Sequence, residues 1–211
     1  MDNPIIKLIN QLDILKIENH RKVLLKPLQE YISQKVKQKT EINLNFICTH
    51  NSRRSQFSQI WSDVAVAYYK LPIRSYSGGV EVTAFNPRAV QSCKRLGFQV
   101  STKDNNLKDN PKYEVAFSDQ TDPSLCFSKT FDDISSPNSN FFAMMTCDHA
   151  DENCPFIPGA LQRIPFRFED PKAFDDTALE ADKYDERSIE IGSEIFYILG
   201  EVSRKFNNHV N

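Results

Sequence analysis

The stretch FICTHNSRRSQ, residues 46–56, constrains this chain more than any other. An apolar run ends on Cys48, a polar loop follows, and Arg54 opens a segment with helical periodicity. Cys48 to Arg54 is Cys-x5-Arg. Five residues wrapped between a strand end and a helix start can point successive backbone N–H groups inward and form a nest for a tetrahedral oxyanion. An arginine at the helix start can fold its planar fork over two oxygens of that anion. The cysteine at the bottom then faces the central atom, and helix terminus, nest and arginine together favour its thiolate. On this reading Thr49, His50, Asn51, Ser52, Arg53, Arg54 and Ser55 line the oxyanion site. Asn51 tolerates a left-handed backbone, and Ser55 can donate to the sulfur. The Arg53 side chain is expected to point away from the anion. A buried cysteine with a coincidental arginine is the plainer alternative; the internal Asn51, the following Ser55 and the strand-to-helix setting weigh against it.

The flanking pattern is β-loop-α-β-α. Residues 42–47 read as a strand and 55–69 as a helix burying Phe57, Ile60, Trp61, Val64, Ala65 and Tyr68. Residues 73–77 read as a strand closed by Gly78-Gly79, and 86–98 as a helix with Pro87 in its first turn and Gly97 as its stop. That order predicts an α/β fold with a parallel sheet. Residues 1–40 form an expected helical extension, with Leu24, Leu28, Ile32 and Val36 on one face and Pro27 marking a first turn or a kink; residues 41–211 form the catalytic domain. Two strands, 113–119 and 125–133, are expected around a Pro-containing turn. Phe141–Cys147 reads as a buried strand, 148–183 as loop-rich, and 184–206 as an amphipathic helix whose stripe is Ile189, Ile195, Phe196, Leu199, Val202 and Phe206.

Composition narrows the function. Net charge is −2 with no long basic block, so nucleic-acid binding lacks an electrostatic footprint. No apolar stretch approaches a membrane span and the start lacks a signal-peptide pattern, so no membrane association and a cytoplasmic location are expected. The 211 residues hold five cysteines, an odd count, which leaves each to packing, metal or chemistry. Cys93, inside a helix, and Cys126, on an apparent strand, fit packing. Cys147 and Cys154 bracket DHADEN. Cys147, His149, Asp151 and Cys154 are conceivable metal ligands, but Cys-x6-Cys spacing is poor for zinc and no matching second pair exists, so no metal is expected. Packing and a redox relay, in which one thiol resolves another, remain. A thiolate cleaving a phosphate ester also needs a proton donor. Asp170, fixed in extended backbone by Pro171, is the candidate. Glu169 is its neighbour, and Asp122-Pro123 is a second copy of the dipeptide with no such role expected.

CTHNSRRSQ resembles the phosphate-binding loop of the low-molecular-weight protein tyrosine phosphatase superfamily, and looks most like its branch of thioredoxin-coupled arsenate reductases. SYSGGVE and NPRAVQSCKRLGF look like that family's second strand and second helix, and TCDHADENCPFIPGA closely resembles the reductases' redox segment. The similarity covers roughly residues 42–206, with an insertion near 101–140. His50 departs from the usual glycine, and Arg53 stands where these reductases often carry a cysteine. The resemblance implies a four-stranded parallel sheet with helices on both faces, plus an N-terminal helical extension and an inserted hairpin. It implies Asp170 as general acid, no cofactor, a small oxyanion (arsenate or phosphate) as substrate, and thioredoxin or a similar reductant as partner. The implied chemistry is reduction of arsenate to arsenite by Cys48, Cys147 and Cys154, ending in a Cys147–Cys154 disulfide. The alternative is a phosphatase that hydrolyses phosphotyrosine or aryl phosphates through a cysteinyl-phosphate. A third reading is a non-catalytic module sensing an oxyanion or oxidant.

Overall fold

The computed structural model describes residues 3–12, 17–38, 40–102, 109–153 and 156–207. Helices α1 (Pro4–Gln11) and α2 (Asn19–Lys37) precede strand β1 (Ile42–Cys48), helix α3 (Arg54–Tyr69) and strand β2 (Ile73–Gly79). Helix α4 (Pro87–Leu96) follows. Three short strands come next: β3 (Gln99–Thr102), β4 (Tyr113–Ala116) and β5 (Ser124–Cys126). Strand β6 (Phe141–Met145), helix α5 (Asp148–Asn153), strand β7 (Ala160–Pro165), a 3-10 turn (Pro171–Phe174) and helix α6 (Glu180–Asn207) complete the chain.

The main sheet has four strands in the order β2-β1-β6-β7, every pair parallel. Central β1 is buried along its whole length, as a strand covered on both faces must be. Leu44, Phe46, Phe142, Met144 and Ile164 turn to one face, where they share a core with α2, α3 and α6. Ile47, Phe141, Ala143 and Met145 turn to the other, under α5, Ile157 and Phe131. The α3–α6 seam is tight because Gly192 has no side chain; a Cβ there would lie 2.7 Å from the Trp61 ring. Trp61 is fully buried, donates its ring N–H to Ser188 and meets Phe98 edge-on at 5.4 Å.

Several expectations need correction. The buried stripe of α2 runs through Leu25, Leu28, Ile32 and Val36, while Leu24 is exposed. At about 100° per residue, Leu25 stands about 20° from Val36 around the helix and Leu24 about 120°. Pro27 lies well inside α2 rather than in its first turn. Tyr68 sits at the rim of α3, edge-on to Phe196 and partly in solvent. Gly78 and Gly79 belong to β2 instead of closing it. A side chain at Gly78 would collide with the Phe131 backbone at 2.3 Å, so the glycines let a second chain segment lie against the strand. The inserted hairpin is β4 and β5, shorter than expected, and β3 pairs with β4 to extend it into a three-stranded antiparallel sheet. Within 148–183, read as loop-rich, lie α5, β7 and the 3-10 turn. As an edge strand with exposed Leu161 and Gln162, β7 carries neither a continuous apolar run nor a clean alternation. Gly97 does stop α4, at φ 102°, and Pro4 of α1 packs where its Cβ would be.

The insert sheet is tied to α3 through Asp63, which accepts a hydrogen bond from Ser124 on β5. Asp63 borders a 510 Å³ cavity between the two elements. Burial pushes its carboxyl up to about 7, against the opposing bonds from Ser124, Ser75 and Gln59. The folded chain therefore binds more protons than the unfolded one between about pH 4 and 7, and this group's contribution to stability falls as pH rises through that window. Asp63→Asn should remove that decline. Urea unfolding at about pH 4.5 and 7.5 checks it; an unchanged difference between the two pH values in the variant would show that another group carries the proton.

Candidate active site

Cys48 is the last residue of β1 and Arg54 the first of α3. The loop between them is turned inside out. The Thr49 carbonyl accepts from the backbone of Val80 and Glu81, and the His50 carbonyl from Ser128 Oγ. The Asn51 carbonyl accepts from Gln56, that of Ser52 from the Asn86 N–H, and that of Arg53 from the Phe57 N–H. With five successive carbonyls held outward, the N–H groups face inward. Among the described residues, no protein acceptor takes a bond from the backbone N–H of residues 49–55. Asn51 makes the reversal possible with φ 46°, a left-handed conformation that asparagine adopts more readily than most residues. Gly79 makes room for it, since a Cβ there would lie 2.7 Å from the Asn51 nitrogen.

The Asn51 side chain extends the same construction. Its Nδ2 donates to Ser55 Oγ at 2.8 Å, and Ser55 Oγ lies 3.0 Å from Cys48 Sγ. Because the Ser55 oxygen is already an acceptor, its proton is left to point at the sulfur. The Asn51 Oδ1 accepts from the Lys129 backbone N–H, and Gln56 Nε2 also donates to the Phe127 carbonyl. Residues 127–131, which follow the insert sheet, thus brace the loop from outside. The sequence reading missed Gln56, Ser128 and Lys129. Ser52 is held by donation to the Ala84 carbonyl, and His50 pairs with Glu81 at the surface.

Arg54 sends one nitrogen to the Phe168 carbonyl at 2.9 Å and another to Asp170 Oδ2 at 2.7 Å. These use two of the five N–H donors of the guanidinium. Asp170 is thereby brought to the loop from residues far along the chain; its other oxygen caps the 3-10 turn through the Lys172 N–H. Arg53 turns aside, donating to the Tyr184 hydroxyl, which donates in turn to Asp175. Burial, then the bond to Asp175, keeps that phenol protonated. Glu169 is exposed beside Arg187. Asp122 lies in the β4–β5 turn.

Cys147 follows β6, next to β1 in the sheet, so it emerges at the same edge as Cys48. It is 1% exposed, and Thr49 Oγ1 lies 3.5 Å from its sulfur. The Ala150 N–H approaches the same sulfur at 3.4 Å. Helix α5 is anchored by Asp151, which pairs with Arg163 and Arg167, and by Asp148, which pairs with Arg167. Cys154 lies outside the described residues. Cys93 and Cys126 are fully buried, and burial pushes the Cys93 thiol up to about 12 and the Cys126 thiol well above its ordinary value. The fold therefore gathers Cys48, Arg54, Asp170 and Cys147 at one end of the sheet and leaves Cys93 and Cys126 in the core.

No protein-family profile matches the chain. An arsenate reductase of Staphylococcus aureus (strain Newman) is 29% identical over 132 residues, which span 63% of this chain and 80% of that protein. Among solved structures, an arsenate reductase from Archaeoglobus fulgidus is 14% identical, with a TM-score of 0.48 over 74% of this chain and 98% of its own. A low-molecular-weight phosphotyrosine phosphatase from Vibrio cholerae is likewise 14% identical, with a TM-score of 0.45 over 72% and 92%. No described helix is long and apolar enough to cross a membrane. The chain is thus similar in sequence to arsenate reductases, and its Cys48–Arg54 loop has the construction of an oxyanion nest.

Proposed function

We propose that this protein reduces arsenate to arsenite through a relay of Cys48, Cys147 and Cys154, with thioredoxin or a similar dithiol as the final reductant. The observation that carries the reading is the second buried thiol at the mouth of the nest, Cys147, in contact with Thr49 beside Cys48. Ester hydrolysis has no use for a thiol there; reduction needs one.

The oxyanion enters the ring of inward N–H groups of residues 49–55 and competes with Asp170 for the Arg54 fork. Asp170, released from the guanidinium beside the bound anion, stands where it can serve as the proton donor. Cys48 thiolate, with Ser55 donating to it, attacks arsenic, and one oxygen leaves as water with the Asp170 proton. Cys147 then attacks the Cys48 sulfur. An S–S bond forms, the S–As bond breaks, and its electron pair stays on arsenic as arsenite departs. Cys154 attacks Cys147, frees Cys48, and leaves a Cys147–Cys154 disulfide for the reductant. Arg53, held by Tyr184 and Asp175, supplies its backbone N–H to the nest and keeps its side chain clear of the anion.

A second reading is favoured by the Arg54–Asp170 contact, because a carboxyl at the loop is also what aryl phosphate hydrolysis requires. There Cys48 forms a cysteinyl-phosphate, Asp170 protonates the leaving phenolate, and water completes the cycle.

Arsenate, thioredoxin, its reductase and NADPH in one assay separate the two. Steady arsenate-dependent NADPH consumption is expected, and Cys147→Ser should abolish it while sparing slow aryl phosphate hydrolysis. A Cys147→Ser variant that consumes NADPH at the parent rate would remove the relay. Arg54→Lys keeps a positive charge but loses the two-pronged geometry. A loss of about 10²-fold or more in either activity is expected, with the unfolding midpoint close to the parent's. Comparable activity in Arg54→Lys and the parent would mean that the fork does not bind the anion.

A further inference from the structure

Before Cys147 can attack, its thiol must lose a proton, and the steps above name no group to take it. Cys147 is buried as a residue, so bulk water is not at hand. Thr49 Oγ1 bridges the gap. It lies 3.5 Å from Cys147 Sγ on one side and 3.3 Å from His149 Nδ1 on the other. A hydroxyl accepts and donates at once, so a proton can enter Thr49 from sulfur as the hydroxyl's own proton leaves for the ring. His149 itself is exposed and can exchange with solvent.

We propose that His149, acting through the Thr49 hydroxyl, takes the proton of Cys147 when that thiol resolves the Cys48–arsenic adduct. The inference rests on the arsenate-reduction reading and supplies the base that it lacks. In the step, the Cys147 proton passes to Thr49 Oγ1 and the Thr49 proton to His149 Nδ1. The freed sulfur pair forms the bond to Cys48. The Cys48–arsenic bond breaks and leaves its electron pair on arsenic. Two sulfurs are oxidised, arsenic gains two electrons, and the imidazolium returns its proton to water. His149 must therefore begin as the tautomer with its proton on Nε2, leaving Nδ1 to accept. Its charged surroundings are mixed. On α5 stand Asp148, Asp151 and Glu152, the first two paired with Arg163 and Arg167 from the β7 side. On the loop side stand Cys48, Arg54 with Asp170, and His50 with Glu81.

His149 does not touch the reacting atoms, so it is a positioning residue, and the test must read proton transfer rather than fold. The full chain is mixed with arsenate without thioredoxin, quenched with acid, and mapped for the Cys48–Cys147 bond across about pH 6–9; Cys154→Ser is used as the background so that this bond accumulates. The parent should show an acid limb in which the rate falls about tenfold per pH unit. His149→Gln should lose that limb and slow bond formation by about 10²–10⁴-fold near neutrality, and added imidazole should restore part of the rate to His149→Ala. Thr49→Val, which deletes the bridge and keeps the shape, should lose the same limb. A His149→Gln variant with the parent's rate and pH profile overturns the role of His149 and leaves the relay standing. Absence of the Cys48–Cys147 bond in the His149-containing background overturns the relay and this inference together.

Discussion

Everything at the active end depends on five carbonyls being turned outward. A chain segment with its carbonyls satisfied by external donors has only its N–H groups left to face the centre, and a ring of such groups attracts an oxyanion without any metal-like charge. The donors come from four directions: Val80 and Glu81 after β2, Ser128 after the insert sheet, Gln56 and Phe57 on α3, and Asn86 at the start of α4. The left-handed turn at Asn51 is the hinge of the arrangement, and its side chain carries the constraint on through Ser55 to the Cys48 sulfur. An Asn51 substitution would thus disturb backbone, hydroxyl and thiol together.

The parallel sheet does the rest of the positioning. Because β6 runs beside β1 in the same direction, two residues remote in sequence leave the sheet at one edge, Cys48 into the loop and Cys147 into α5. The third element, the segment carrying Asp170, is drawn in by Arg54 itself. Arg54 therefore holds the Asp170 carboxylate beside the loop with the same fork that the proposed reaction gives to the oxyanion. The insert sheet belongs to this construction as well: its trailing residues 127–131 lie along Gly78–Gly79 and reach Asn51 and His50.

Local features were legible in the sequence. Cys48, Asn51, Arg54 and Ser55 stand within eight residues, where the period changes from strand to helix, and that change locates the loop. Pro87 and Gly97 bound α4 because their backbone preferences are intrinsic. What was illegible is what depends on distant partners. Lys129 meets Asn51 across 78 positions, through a backbone N–H that any residue but proline could supply. Tyr184 captures Arg53 across 131 positions. Strand β7 shows no period because a register shift against β6 skips Leu161 and leaves Leu161 and Gln162 both exposed. Leu24 and Leu25 are chemically identical, and only the accumulated helical phase tells them apart.

The central claim is that arsenic is reduced by electrons from two of this chain's own thiols. Counting thiols tests it most directly. The reduced protein, mixed with excess arsenate and no external reductant, then denatured and titrated, should lose two thiols per chain for each arsenite formed. All five cysteines still titratable, with no arsenite formed, would contradict the relay and leave the phosphatase reading.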